Sequence, residues 1–203
     1  MEQRSAEWFA ARLGKVTASR VSDVTARTRS GWGASRAKYA AQLVVERLTG
    51  VKAAEFVSPA MQWGTDQEPL ARDAYRHTRP DDVIETGFID HPTIPASGAS
   101  PDGMVGKEGL VELKCPDTAT HIETLLGEPI PLRYHLQMQW QLACTGREWC
   151  DFVSYDPRMP ERLQLYIQRV PRDVAVISSL EHDVALFLRE VEAKVAALES
   201  YGR

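Results

Sequence analysis

The sequence predicts an α/β layered fold with a mixed central sheet flanked by helices. Three observations predict it. Helical spacing dominates the first third of the 203 residues, strand-like runs fill the middle, and a long amphipathic helix closes the chain. The predicted order is helices, strands, helix, strands, helix, read as one domain over residues 1–203.

The elements follow from local chemistry. Thr17 and Ser19 are residue types that cap helices, standing ahead of Val21 and Val24. Residues 27–33, Arg-Thr-Arg-Ser-Gly-Trp-Gly, read as a loop. In 35–48, Ala40, Leu43, Val44 and Leu48 keep helical spacing, and Gly50 is a fitting stop. Ser58-Pro59 pairs an N-cap with a first-turn proline and starts another helix. Pro69 has no N–H to donate, so it should kink or restart that helix. Residues 83–89 and 110–114 read as strands, with Ser100-Pro101-Asp102-Gly103 as a turn between them. A helix is predicted over 131–144, then strands over 151–155 and 163–170. Ile177, Leu180, Val184, Leu188, Val191, Val195 and Leu198 recur three or four apart, the stripe of a long amphipathic helix.

Composition narrows the function classes. Hydrophobic residues at 43% and charged residues at 26% exclude disordered and fibrous chains. No run approaches the roughly 18 apolar residues of a membrane span. The first seven residues lack the apolar core of a secretory signal. Cys115, Cys144 and Cys150 form no CxxC pair, and an odd number suits reduced thiols in a cytoplasmic protein. Net charge is −4, but residues 1–52 carry +6 and the remainder −10. That asymmetry suggests a basic face for a polyanion beside an acidic body. An ordinary solvated surface would give the same arithmetic.

The sharpest motif is Pro101-Asp102, nine intervening residues, then Glu112-Leu113-Lys114. On a strand, Glu112 and Lys114 share a face while Val111 and Leu113 share the other. Asp102 leaves a turn able to fold back beside that strand. Two converging carboxylates make a hard-oxygen site suited to Mg²⁺. The adjacent lysine could orient a water or balance charge building on a phosphate. Phosphodiester cleavage needs these parts. The plainer reading is a strand with a solvated Glu/Lys face and an unrelated turn aspartate.

Glu68, on the helix begun at Pro59, lies at the edge of an arc holding Met61, Ala71 and Tyr75. A carboxylate turned toward a core edge needs a partner. Gln137 and Gln141 lie four apart, with Tyr134 three before the first. They could contact a phosphate or hold water, though a solvated helix face is the plainer reading. His77, His91, His121, His135 and His182 show no paired spacing and are assigned no metal.

These residues carry a resemblance. Arg12-Leu13-Gly14 leads into Thr17-Ala18-Ser19, and Arg29-Ser30-Gly31 follows. Trp63-Gly64 precedes Glu68, then come Ser100 to Gly103 and Glu112-Leu113-Lys114-Cys115-Pro116. Gln137-x-Gln139 and Tyr155-Asp156-Pro157-Arg158-Met159 complete the order. From about Trp8 to about Ala197 the chain resembles the lambda-exonuclease family, two-metal PD-(D/E)xK nucleases of the wider viral recombinase group. The resemblance implies a restriction-endonuclease-like core, with extra N-terminal helices and a long C-terminal helix. It implies two Mg²⁺ ions, with Mn²⁺ as a substitute. Asp102, Glu112 and the Leu113 carbonyl would hold one, and Asp102 with Glu68 the other. Lys114 would position the attacking water. Arg12, Ser19, Ser100 and Gln137 fall where the family binds a terminal 5′-phosphate. Arg29 falls on a DNA-contacting loop, and Met61 where the family has a strand-separating wedge.

The activity implied is 5′→3′ degradation of one strand of duplex DNA, releasing mononucleotides and leaving a 3′-ended single strand for recombination. A homotrimeric ring, double-stranded DNA ends as substrate and a single-strand annealing protein as partner are implied with it. So is a bacterial cytoplasm, with phage or prophage origin. Two alternatives share the motif. One is an endonuclease of restriction or repair. The other is a DNA-binding module without catalysis, against which the intact Asp102, Glu112 and Lys114 argue.

Overall fold

The computed structural model describes residues 2–29, 31–53 and 57–202, so Ser30 of the predicted loop lies outside the described residues. Helix α1 (Ala6–Arg12) opens on Ser5, whose Oγ accepts from the Trp8 N–H at 3.2 Å. Strand β1 (Val16–Thr17), a 3-10 turn (Ala18–Arg20) and α2 (Val21–Val24) follow. Neither Thr17 nor Ser19 caps as expected. The turn and α2 both start without a side-chain cap bond, and the two hydroxyls lie 3.4 Å from each other. Burial of Val21 and Val24 holds this short element in place of a cap. The predicted loop over 27–33 instead forms a hairpin of β2 (Arg27–Thr28) and β3 (Gly31–Trp32). The Trp32 ring sits between the Arg27 and Arg36 guanidinium groups, 4.0 and 3.9 Å from its centroid.

Helix α3 (Ala34–Thr49) ends where the sequence indicated. Gly50 adopts φ +68°, and its N–H donates to the Glu46 carbonyl at 2.9 Å. Helix α4 (Pro59–His77) begins with Ser58 Oγ accepting from the Met61 N–H at 3.2 Å. It runs through Pro69 as one helix, so of the two expected outcomes, a kink or a restart, the restart does not occur. Ala71 and Tyr75, fully buried beyond the proline, anchor the second half of the helix against the sheet.

The predicted strand over 83–89 is two strands in two sheets. β4 (Val83–Ile84) is an edge of the larger sheet and β5 (Ile89–Asp90) an edge of the smaller one. β6 (Ser97–Ala99) pairs parallel with β1 and antiparallel with β5. β7 (Gly103–Val105), β8 (Gly109–Lys114), β9 (Trp149–Tyr155) and β10 (Leu165–Pro171) complete the five-stranded sheet, in the order β10-β9-β8-β7-β4. β8 and β9 run parallel and the other pairs antiparallel, so the sheet is mixed as predicted. The parallel pair needs a crossover, supplied by α5 (Thr118–Leu125) and α6 (Leu132–Thr145). Helix α7 (Val174–Glu199) is the predicted C-terminal helix, with Asp173 Oδ1 accepting from the Ala175 and Val176 N–H groups at 3.0 Å.

The sheet is covered on both faces. Val111, Leu113, Val153 and Tyr155 meet Ala71 and Tyr75 of α4. Leu110, Cys150 and Phe152 meet Met138, Leu142 and Ala143 of α6. Burying each large apolar side chain contributes roughly 1.5–3 kcal/mol. Trp140 and Cys144 of α6 turn away, into a second core with α2, α3 and α7. β8 is therefore buried on both faces, and its Glu112 faces α6.

Candidate active site

Glu112 is 1% exposed. A carboxylate there must be hydrogen-bonded to be tolerated. It is: Gln137 Nε2 donates to Oε1 and Gln141 Nε2 to Oε2, each at 2.6 Å, and the Lys114 ammonium also meets Oε1. The shared strand face of Glu112 and Lys114 is thus present, and it is a buried face. The glutamines are likewise not a solvated face. Gln141 is fully buried, and Cys150 Sγ lies 4.0 Å from its Oε1, the side turned away from Glu112.

Asp102 closes the other side. It stands in the link from β6 to β7, and β7 pairs antiparallel with β8. Its Oδ2 accepts from the Leu113 N–H at 2.7 Å. Burial, then Glu112, then Glu68 push the Asp102 carboxyl well above the usual carboxylate range. For Lys114, burial pulls the pKa down, but Glu112 and Asp102 outweigh it and the net shift is upward. Lys114 Nζ also lies 4.7 Å over the Tyr134 ring.

Glu68 is near enough to act on Asp102 electrostatically, but its oxygens are engaged elsewhere. Oε1 accepts from Arg72 at 2.6 Å and Oε2 from Arg4 at 2.5 Å. Among the described residues no three His, Cys, Asp or Glu side chains converge as a ready-made ligand set. The donor chemistry still fits a hard divalent cation. Asp102, Glu112 and Glu68 are oxygen donors whose mutual repulsion is felt at Asp102, and a divalent cation would offset it. The Leu113 backbone enters the site through its N–H.

The four residues expected around a terminal phosphate fall into two groups. Arg12 and Ser19 line one pocket, with Lys15, Arg20, Tyr39 and Lys52 among its other walls. Ser100 Oγ accepts from Arg12 at 3.3 Å and from Trp8 Nε1 at 2.9 Å. The Arg12 guanidinium lies 3.9 Å over the Trp8 ring. Gln137 is in the other group, on Glu112. Arg29 lies exposed at the β2–β3 turn. Met61, 54% exposed, is in the first turn of α4. Trp8 bonds to Ser100, Gln3 to the Pro101 carbonyl and Arg4 to Glu68, and the sequence carries no local signal for any of the three. Gln141, offered with Gln137 for a phosphate or a water, holds Glu112.

Half-buried Asp102 just before β7 and buried Glu112 on the adjacent antiparallel β8, with a lysine two residues after the glutamate, form the pattern of a PD-(D/E)xK motif on a mixed sheet. The model of the YqaJ-like viral recombinase domain matches residues 7–148, and the chain belongs to that family. An alkaline exonuclease (LHK-Exo) from Laribacter hongkongensis is 53% identical over 96% of both chains, with a TM-score of 0.88. The same enzyme in complex with dAMP superposes with a TM-score of 0.89. A phage-related exonuclease from Haemophilus somnus 129PT shares the fold, with 15% identity and a TM-score of 0.69 over 91% of this chain and 96% of that one. No curated protein matches the chain. No helix among the described residues is long and apolar enough to cross a membrane.

Proposed function

We propose that the chain is a Mg²⁺-dependent 5′→3′ exonuclease of double-stranded DNA. It releases mononucleotides and leaves a 3′-ended strand for annealing-type recombination. The observation that carries the reading is the Asp102–Glu112–Lys114 constellation around a buried glutamate. The 53% identity to an alkaline exonuclease, together with that enzyme's complex with dAMP, supports it.

Asp102, Glu112 and the Leu113 carbonyl would hold one Mg²⁺, and Asp102 with Glu68 a second; Mn²⁺ would substitute. When bound, such ions polarise a phosphoryl oxygen and lower the pKa of a ligated water. Lys114 is charged at neutral pH and stands on the carboxylate, where it positions the water and balances charge in the transition state. Gln137 and Gln141 hold the Glu112 plane. Arg12, steadied by Trp8 and Ser100, takes the terminal 5′-phosphate, with Ser19 and Gln137 completing the grip. A guanidinium pairs with phosphate through a fixed fork of donors. Arg29 would meet the duplex backbone, and Met61 would part the strands.

The whole chain would act as one nuclease domain, three copies closing into a ring around the duplex. An annealing protein would load on the exposed strand, in the cytoplasm of a phage-bearing bacterium. One experiment separates this reading from the endonuclease. Linear 5′-phosphorylated duplex and covalently closed plasmid are incubated with Mg²⁺ or with EDTA. Loss of the linear DNA alone, and only with Mg²⁺, is expected. Cutting of the closed circle would replace the exonuclease with an endonuclease, and no cleavage of either would remove catalysis.

A further inference from the structure

The N-terminal arm reaches the carboxylates from a direction that the PD-(D/E)xK motif does not announce. Gln3 Nε2 donates to two main-chain carbonyls, of Thr86 and of Pro101, at 2.8 Å each. A side-chain amide has two N–H groups, and both are spent here. Thr86 lies in the connection from β4 to β5. Pro101 is the residue before Asp102, in the link that carries the chain from the smaller sheet to the larger one. One side chain therefore ties together two connections that both cross between the sheets. Trp8 and Arg12 grip Ser100, one residue earlier on the same link.

Arg4 adds a second observation. Its backbone has φ +68°, a left-handed conformation that residues other than glycine rarely adopt. In that conformation its guanidinium meets Glu68 Oε2 at 2.5 Å, while Glu68 is 17% exposed and Arg4 49%. Backbone outliers persist where their surroundings over-determine them, and they gather at functional sites.

We propose that residues 3 and 4 are a working part of the catalytic site. Gln3 is a positioning residue that fixes the chain entering Asp102, and Arg4 is an exchangeable counter-charge for Glu68. This rests on the nuclease reading above. Asp102 is held at one end by the Leu113 N–H and at the other by the Gln3-braced link. Loosening the link lets the carboxylate drift from Glu112. Displacements of about 1 Å at reacting groups can cost on the order of 10²-fold in rate. Arg4 occupies an oxygen of Glu68 that a divalent cation would otherwise use, so the two compete.

The test uses full-length protein tagged only at its C-terminus. Gln3→Met keeps the side-chain length and removes both donors. Arg4→Gly removes the charge and suits φ +68°, so the fold should be retained. Three quantities are read: kcat and KM on 5′-phosphorylated linear duplex, Mn²⁺ affinity of the DNA-free protein by calorimetry, and the thermal midpoint. Gln3→Met should lose roughly 10- to 100-fold in kcat with little change in KM, and should bind Mn²⁺ more weakly. Arg4→Gly should bind Mn²⁺ several-fold more tightly. A Gln3→Met protein with wild-type kcat and Mn²⁺ affinity, whatever its thermal midpoint, would make the bond merely structural and overturn the Gln3 role. Unchanged or weaker Mn²⁺ binding in Arg4→Gly would overturn the Arg4 role. An inactive wild type that binds no Mn²⁺ would instead overturn the nuclease reading itself.

Discussion

Three donors converge on Glu112, and this sets what its neighbours can tolerate. Truncating Glu112 would leave the donors of Gln137, Gln141 and Lys114 without their acceptor, so Asp102 is the cleaner target. In Asp102→Asn the remaining oxygen can still accept from the Leu113 N–H, so the fold should hold. Cleavage is expected to vanish while duplex binding persists, read by a gel-shift alongside the nuclease assay. Lys114→Ala should cost on the order of 10²-fold or more in rate, the scale of one electrostatic stabiliser. Near-normal turnover of that variant would remove its assigned role. Gln141→Leu keeps the bulk but takes a donor from a buried carboxylate. A destabilisation of about 1–3 kcal/mol and a higher Mg²⁺ half-saturation are expected. A denaturation curve and a metal titration of activity would check the pair.

At the scale of elements, close approaches and buried ion pairs decide the tolerance. A Cβ at Gly98 would lie 2.4 Å from the Ile89 carbonyl oxygen, a backbone atom that cannot rotate aside. Gly98→Ala should force β5 and β6 apart at a cost of roughly 1–3 kcal/mol, visible as a lower thermal midpoint. Just past β9, burial pushes the Asp156 carboxyl up. Donors from Arg158 and from Thr118, the first residue of α5, outweigh it and hold it at about 2. The folded pKa lies below the unfolded value near 3.9, so this stability is present above about pH 4. It should be lost as pH falls toward 2, a contribution of up to ~2 kcal/mol. Asp156→Asn should flatten that acid limb in denaturation measured from pH 5 to pH 2. The long elements were legible because α3, α4, α6, β8, β9 and α7 carry full periods and caps such as Ser58 and Gly50. Two-residue strands have no period to read. β2 and β3 read as a loop in the sequence, and β4 and β5 read as one strand although they belong to different sheets. Five of the eight residues of α5 are Thr, His or Ile, with little helix preference, and its start is marked by Asp117, whose Oδ1 accepts from the Thr120 N–H at 2.9 Å.

At the scale of the molecule, the charge is unevenly divided along the chain, which suits the proposed ring. Residues 12–38 hold seven Lys and Arg against Asp23 alone, while residues 53–203 carry a net −10. A ring of three chains would repeat the basic surface around a duplex while the acidic body repels DNA elsewhere. Light scattering should give about three times the 22.7 kDa chain mass, and loading on DNA should weaken steeply with salt. A monomer in solution would reject the ring. Asp102, Glu112 and Lys114 were legible because strand alternation and a fixed spacing place them. Gln3 and Arg4 were not, because their partners lie 83, 98 and 64 residues away and only folding joins them. End-labelling distinguishes one-strand digestion from a 5′-phosphate end from its alternatives. A linear duplex carries a 5′-phosphate on one strand only, with distinct labels at its 5′ and 3′ ends, and is sampled over time in Mg²⁺. The 5′-label should appear first as a mononucleotide from the phosphorylated strand, with the opposite strand left intact. Release of the 3′-label first, or equal loss of both strands, would rule out 5′→3′ digestion of a single strand.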